Sequence, residues 1–268
     1  MLARAYDKVE QIHLTYPFPP FSSFSPPFIL RAMFIADNNQ MKYLFLFLLI
    51  FTSGAAVAAE PGSRYQQRAE AGDRRAQYYL ADTLVSSGDY QKAEYWAQKA
   101  AAQGDGDALA LLAQLKIRNP QQADYPQARQ LAEKAVEAGS KSGEIVLARV
   151  LVNRQAGATD VAHAITLLQD AARDSENDAA VDARMLLGLI YASGVNGPED
   201  DVKAGEYFKG SSMLSRTGYA EYWAGTMFRQ GEKGFIEPNK QKALHWLNVS
   251  CLEGFDTGCE EFDRISKK

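Results

Sequence analysis

Five short segments of this chain align on a shared alanine: Lys92-Ala-Glu-Tyr-Trp96, Gln127-Ala-Arg-Gln-Leu131, His163-Ala-Ile-Thr-Leu167, Lys203-Ala-Gly-Glu-Tyr207 and Lys242-Ala-Leu-His-Trp246. The alanines, Ala93, Ala128, Ala164, Ala204 and Ala243, stand 35, 36, 40 and 39 residues apart. A period of that size is one helix pair with its loops, not a propeller blade rich in strand residues. A single pair cannot bury its apolar face alone, whereas stacked pairs can, so the period predicts a linear stack.

Two further registers agree. Four residues before each alanine stands Asp89, Asp124, Asp160, Asp200 or Asn239. An Asp or Asn there can accept a hydrogen bond from a free N–H of a helix's first turn, worth about 1 kcal/mol. Eleven residues after each alanine comes Gly104, Gly139, Ser175, Ser215 or Gly254. Glycine permits the left-handed turn that ends a helix. These limits define the second helix, B, of each unit. The first, A, is clearest in Ala183-x-x-x-Leu187-Gly188-x-x-Tyr191-x-x-Gly194, with copies starting at Ala76, Ala108, Gly143 and Ala220. The small residue at its fifth offset lets a neighbouring helix approach closely, and large apolar residues on the same face fill the space between helices.

These registers resemble the SEL1-like repeat family, a relative of the tetratricopeptide repeats. Ala183 to Ser212 and Asp89 to Ala101 match its pattern best, and the resemblance covers about residues 65–266. It implies an all-α fold: an α-solenoid of about five stacked helix-turn-helix units. Their spans are roughly 73–104, 105–139, 140–175, 180–215 and 217–254, with a cap at 258–266. The chain departs from the family at Lys116 and Arg118, where the aromatic and glycine of helix A are missing, and around Gln155 to Asp160. The overall cast is similar to exported family members of enteric bacteria. By analogy with tetratricopeptide grooves, the inner face of the A helices would hold a protein or peptide partner. That analogy nominates Tyr78, Asp82, Gln114, Arg149, Asn153, Tyr222, Trp223 and Arg229 as groove residues. Aromatics and arginine are favoured interface anchors.

The stretch from Met41, MKYLFLFLLIFTSGAAVAAE, has the order of a secretory signal peptide: Lys42, nine apolar residues from Tyr43 to Phe51, then small residues ending at Ala58 or Ala59. The apolar run is too short for a hydrocarbon core, which needs about twenty residues. No cysteine follows it, so a lipid anchor at that site is excluded. Residues 41–59 are therefore expected to be removed on export, with the periplasm as destination and secretion from the cell as the alternative. A leader should open the chain, so Met41 is the expected start and residues 1–40 an upstream extension. The alternative for the proline-rich stretch Tyr16 to Phe28 is a ligand segment. What remains, 60–268, carries a net charge near −5. That balance argues against nucleic acid, whose phosphates select basic surfaces.

The chain has two cysteines, Cys251 and Cys259, flanking the turn between the last B helix and the cap. In an exported protein an even pair reads as a disulfide. The rival reading is a redox or metal site, but two thiols without nearby His make poor zinc ligation. His163 and His245 fall at ordinary repeat slots. Ser-x-x-Lys, Gly-x-Ser-x-Gly, His-Glu-x-x-His and phosphate-binding glycine loops are all absent. The expectation is a non-catalytic scaffold that uses no cofactor or metal. The family resemblance also allows a cell-wall or β-lactam hydrolase or binding protein, for which this chain offers no nucleophile motif.

Overall fold

The computed structural model describes residues 63–119, 122–173, 178–211 and 217–267. The expectations for residues 1–40, for the leader, and for helix ends at Ser175 and Ser215 lie outside the described residues. Within them the regular structure is helical, apart from a 3-10 turn and one isolated β-bridge between Glu232 and Ile236. In chain order the helices are α1 Ser63–Glu70, α2 Arg74–Ser86, α3 Tyr90–Ala101, α4 Gly106–Ile117, α5 Tyr125–Glu137 and α6 Lys141–Val152. They continue as α7 Val161–Ala171, α8 Asp178–Ser193, α9 Asp201–Ser211, α10 Tyr219–Gln230, α11 Lys240–Leu252 and α12 Asp256–Ser266.

The repeat maps onto this list directly. Helices α2/α3, α4/α5, α6/α7, α8/α9 and α10/α11 are the five A/B pairs, with α1 preceding the first and α12 covering the last. The fold is thus an α-solenoid. Each B helix opens on its expected cap: Asp89, Asp124, Asp160, Asp200 and Asn239 accept from the third residue onward at 3.3, 3.0, 3.0, 2.9 and 3.0 Å. A second set of caps starts the first three A helices. Asp73, Asp105 and Ser140 accept from the backbone N–H of Ala76, Ala108 and Gly143 at 2.9, 3.0 and 3.0 Å. Each follows a glycine of positive φ (Gly72, Gly104 and Gly139), so one dipeptide ends a helix and begins the next.

Close approach of A on B sets the spacing. Ala81, Ala113 and Ala148 at the small position are fully buried. In the fourth unit Gly188 lies against Phe208, and a Cβ there would sit 2.2 Å from a ring carbon. Phe208 is itself fully buried and meets Trp246 of the next unit edge-on at 4.9 Å. One small residue thereby lets an aromatic reach across to the neighbouring pair. The apolar interior forms a short cluster under α1–α4 and a longer one from α4 to α11, with Leu131 packed against both.

Where the family pattern breaks, other contacts take over. Lys116 pairs with Glu94 of the first B helix at 2.7 Å, and the Arg118 guanidinium stacks 3.4 Å over the Tyr90 ring. Both tie the second A helix back to the first unit. In the third unit α6 stops at Val152 and yields to a 3-10 turn, Arg154–Ala156. The segment 231–239 of the fifth unit folds onto that turn. Gly234 O accepts from Arg154 N at 2.8 Å, and Lys233 O accepts from Asn153 Nδ2 at 3.1 Å. Asn153 Oδ1 also accepts from Gln155 N at 2.9 Å. Asn153 is 2% exposed, so it is a structural bridge and not a groove residue.

One buried charge site stands out. Glu221, in the first turn of α10, is fully buried, and neither oxygen has a hydrogen-bond partner among the described residues. Burial, helped by Glu253, pushes its carboxyl above the ordinary value, and Lys209 only partly opposes this. The same register holds Gln77 and Arg184, which donate to Ala69 O and Ala172 O at the ends of preceding helices.

Cys251, late in α11, is bonded to Cys259 in the first turn of α12. The bond clamps α12 onto the last pair, and closing so short a loop contributes about 2–3 kcal/mol on the chain-entropy account.

Two stability tests follow from this packing. Gly188→Ala gains about 1 kcal/mol of helix propensity but forces a shift of the enclosed Phe208 ring, a change that costs about 1–3 kcal/mol. Gly205→Ala, where nothing lies within 4 Å, has only the gain. Thermal melts should therefore place Gly188→Ala below Gly205→Ala, with Gly205→Ala above the parent; the reverse order would contradict the packing. Asn153→Ala removes two buried hydrogen bonds and should lower stability by about 1–3 kcal/mol in chemical denaturation. A change within error would mean that segment 231–239 is not anchored there.

Candidate functional site: the inner face of the A helices

The inner faces of α2, α4, α6, α8 and α10 line one groove, a cavity of about 570 Å³. Its residues recur at fixed offsets from the first small residue of each A helix. Offset −1 gives Asp107, Ser142, Asp182 and Tyr219; offset +3 gives Leu111, Val146, Leu186 and Trp223; offset +6 gives Asp82, Gln114, Arg149 and Leu189. Those spacings are successive turns of one helix face. Offset +2 adds Tyr78 at the edge of the stripe.

Five of the eight nominated residues therefore come together: Tyr78, Asp82, Gln114, Arg149 and Trp223. Three do not. Asn153 is consumed by the bridge to segment 231–239. Tyr222 turns toward the cap, where its ring lies 5.3 Å from that of Phe255. Arg229 is exposed and outside the groove lining. Asn153, at offset +10, lies past the end of α6, whereas Arg229, at offset +9, is in the last turn of α10 and exposed. Ile117, at the same offset in α4, does line the groove. Asp107, Asp182 and Tyr219 went unnominated, and continuing the stripe one turn toward each helix start would have found them.

The groove is acidic with an apolar floor. Among the described residues its lining holds Asp82, Asp107, Asp178, Asp182 and Glu232 against one cation, Arg149. Arg149 is already committed: its Nε and Nη2 donate to Glu232 Oε1 and Oε2 at 3.2 and 2.9 Å. Such a two-point pair also orients the guanidinium. Asp107 accepts from Ser140 Oγ at 2.6 Å. Asp82 and Asp182 touch solvent, yet protein crowds each from the groove side. Burial raises both carboxyls above the ordinary value; for Asp182 the neighbouring Asp178 raises it further and Arg149 opposes. Burial, then Asp82, Asp107 and Asp105, raises the Tyr78 phenol, which stays protonated and able to donate. Ala110, Leu111, Val146, Met185 and Leu186 form the floor between these polar groups.

Little else resembles a reaction centre. His163 and His245 sit exposed on B helices, His245 edge-on to Trp246 at 4.9 Å. Among the described residues no three of His, Cys, Asp and Glu group so as to hold a metal ion. Among the same residues no helix is long and apolar enough to cross a membrane.

Comparison with known proteins accords with this architecture. A family model described as Sel1 repeat matches residues 74–105, 108–140, 181–213 and 218–255. Those are the first, second, fourth and fifth pairs; the pair it passes over is the third, whose A helix ends in the 3-10 turn. The Sel1-repeat-containing protein YjcO of Escherichia coli (strain K12) is 66% identical over 223 residues, which is 83% of this chain and 96% of that protein. A YjcO protein of Shigella flexneri aligns with the same figures. A crystal structure of a protein assigned to the sel1 repeat class, from Klebsiella pneumoniae subsp. pneumoniae, is 95% identical with a TM-score of 0.76. It covers 77% of this chain and 100% of that one. On its repeat period, its stacked helix pairs and these likenesses, the chain belongs to the Sel1-repeat family.

Proposed function

We propose that this protein is an exported, non-catalytic scaffold whose A-helix groove holds a segment of a partner protein. The groove itself is the observation that carries this reading: it runs from Tyr78 in the first unit to Trp223 in the fifth. Concave surfaces built from stacked helix pairs suit extended partners. Sel1 repeats in general mediate protein–protein interaction, which supports the same assignment. Trp223 is half-buried at one end of the groove, and a tryptophan so placed is the residue type that anchors interfaces.

The non-catalytic part rests on the groove's residue types. Among the described lining residues no hydroxyl donates to a carboxylate or histidine that could activate it as a nucleophile, and the one arginine is held in an ion pair. Export rests on the leader-like order from Lys42 to Ala59 and is supported by the Cys251–Cys259 bond, which suits an oxidising compartment. The periplasm is the compartment proposed.

Affinity purification from the envelope fraction tests the reading. The wild-type chain and Arg229→Ala should retain the same partner, whereas Trp223→Ala should lose at least nine tenths of it. Equal recovery with Trp223→Ala would contradict the groove assignment. N-terminal sequencing of the same purified protein should begin at Ala59 or Glu60, and a peptide from residues 1–40 would contradict the export reading.

A further inference from the structure

The proposed scaffold reading says where a partner lies; the charges of the groove say what kind of segment it is. Outside the Arg149–Glu232 pair and the hydroxyl bond on Asp107, three carboxylates remain on the inner face: Asp82 on α2, and Asp178 and Asp182 on α8. Among the described residues none of the three has a hydrogen bond or an ion pair. Asp178 stands in the first turn of α8, where a negative charge complements the helix N-terminus. Asp182, one turn further, has no such role. It faces Asp178 at the i,i+4 spacing, where like charges disfavour a helix by about 0.2–0.5 kcal/mol. Asp82 lies in the middle of α2, also without a cation, below the half-buried Tyr78.

On the described B helices and loops the carboxylates divide: Glu137, Asp201 and Glu206 are exposed without an ion pair and lie outside the groove lining. Glu94, Glu133, Asp170, Glu199 and Glu237 each have a lysine or arginine within ion-pair distance. The unpaired carboxylates of the groove thus sit on an apolar floor beside Trp223 and Tyr219, in a cleft that holds more than a single side chain. An anionic or apolar occupant would strip water from these carboxylates and return nothing, which is costly for a charged group. A neutral donor would return only the weaker, singly charged hydrogen bond. A cationic one replaces the lost water with charge-assisted hydrogen bonds.

We propose that the groove receives a peptide segment of a partner protein rich in lysine or arginine, its cationic side chains on Asp82, Asp178 and Asp182 and its apolar residues on the floor beside Trp223. This rests on the scaffold reading above. The apolar floor favours a peptide over a small polyamine, because a polyamine leaves Leu111, Val146 and Leu186 uncovered. Complementary charge of this kind steers association and selects against acidic partners.

The test is selection of a random peptide library on the immobilised full-length expressed protein, followed by sequencing of the bound pool. With the wild-type chain, lysine and arginine should be enriched at least fivefold over aspartate and glutamate. The enrichment should fall as salt is raised from 50 to 300 mM. Asp82→Asn with Asp182→Asn should remove the charge preference, and Asp182→Lys should shift the pool toward acidic peptides. Circular dichroism checks that each variant folds, and the salt series on the wild-type chain stands without any variant. Spermidine should compete with the selected peptides only weakly. A pool without charge bias, or an acidic one, that is lost with Trp223→Ala would overturn the cationic assignment and leave the groove reading intact. A pool of the wild-type chain no richer than that of Trp223→Ala would overturn both. Spermidine binding as tightly as the best peptide would overturn the peptide class.

Discussion

At one position per unit an A helix leaves room on its own B helix for a hydrogen or a methyl group, and the groove depends on that contact. Ala81, Ala113, Ala148, Gly188 and Gly225 hold this position. The close approach brings Phe208 over Gly188 and Leu247 over Gly225, and from there Phe208 reaches Trp246 of the next pair. Intra-unit spacing and inter-unit stacking are therefore one interaction. With A helices held this close, their opposite faces converge on a single concavity, and the same stripe of residues from each unit lines it.

A solenoid is held mainly by contacts between adjacent units. Here a second kind of contact spans two units, from segment 231–239 to the end of α6. It explains why the third unit departs from the repeat. The last turn of its A helix is exchanged for a 3-10 turn that offers Arg154 N–H and Asn153 to the incoming backbone. The same segment supplies Glu232, which neutralises Arg149, the groove arginine among the described residues. A local loss of helix thus fixes the groove's outer edge and leaves its remaining charge negative.

The helix pairs were legible because they rest on side-chain type at fixed spacing. Five Asp or Asn caps and a recurring alanine carry that signal without tertiary knowledge, whereas the cap-clamping cysteine pair was legible from an even count of two cysteines behind an export leader. The groove was only partly so. Offsets taken by analogy found Tyr78, Asp82, Gln114, Arg149 and Trp223, because those residues lie on the true stripe. Asn153 was misplaced since periodicity does not tell where an A helix stops, and Arg229 because the lining reaches offset +9 in α4, at Ile117, but not in α10. Tyr222 was misplaced because nothing local signals that the cap's Phe255 will cover it. The Arg149–Glu232 pair joins residues 83 apart in the sequence and occurs once, so no repeat could advertise it.

The proposed binding surface is the inner stripe of A helices and not the outer B helices. Hydrogen exchange of the full-length expressed protein, alone and saturated with a selected peptide, addresses this directly, because protection reports local opening along the backbone. Added protection should fall in α2, α4, α6, α8 and α10, strongest around Asp82, Asp182 and Trp223. The exposed faces of α3, α5, α7, α9 and α11 should stay unchanged. Protection concentrated on those B helices, or on the cap, would contradict this placement.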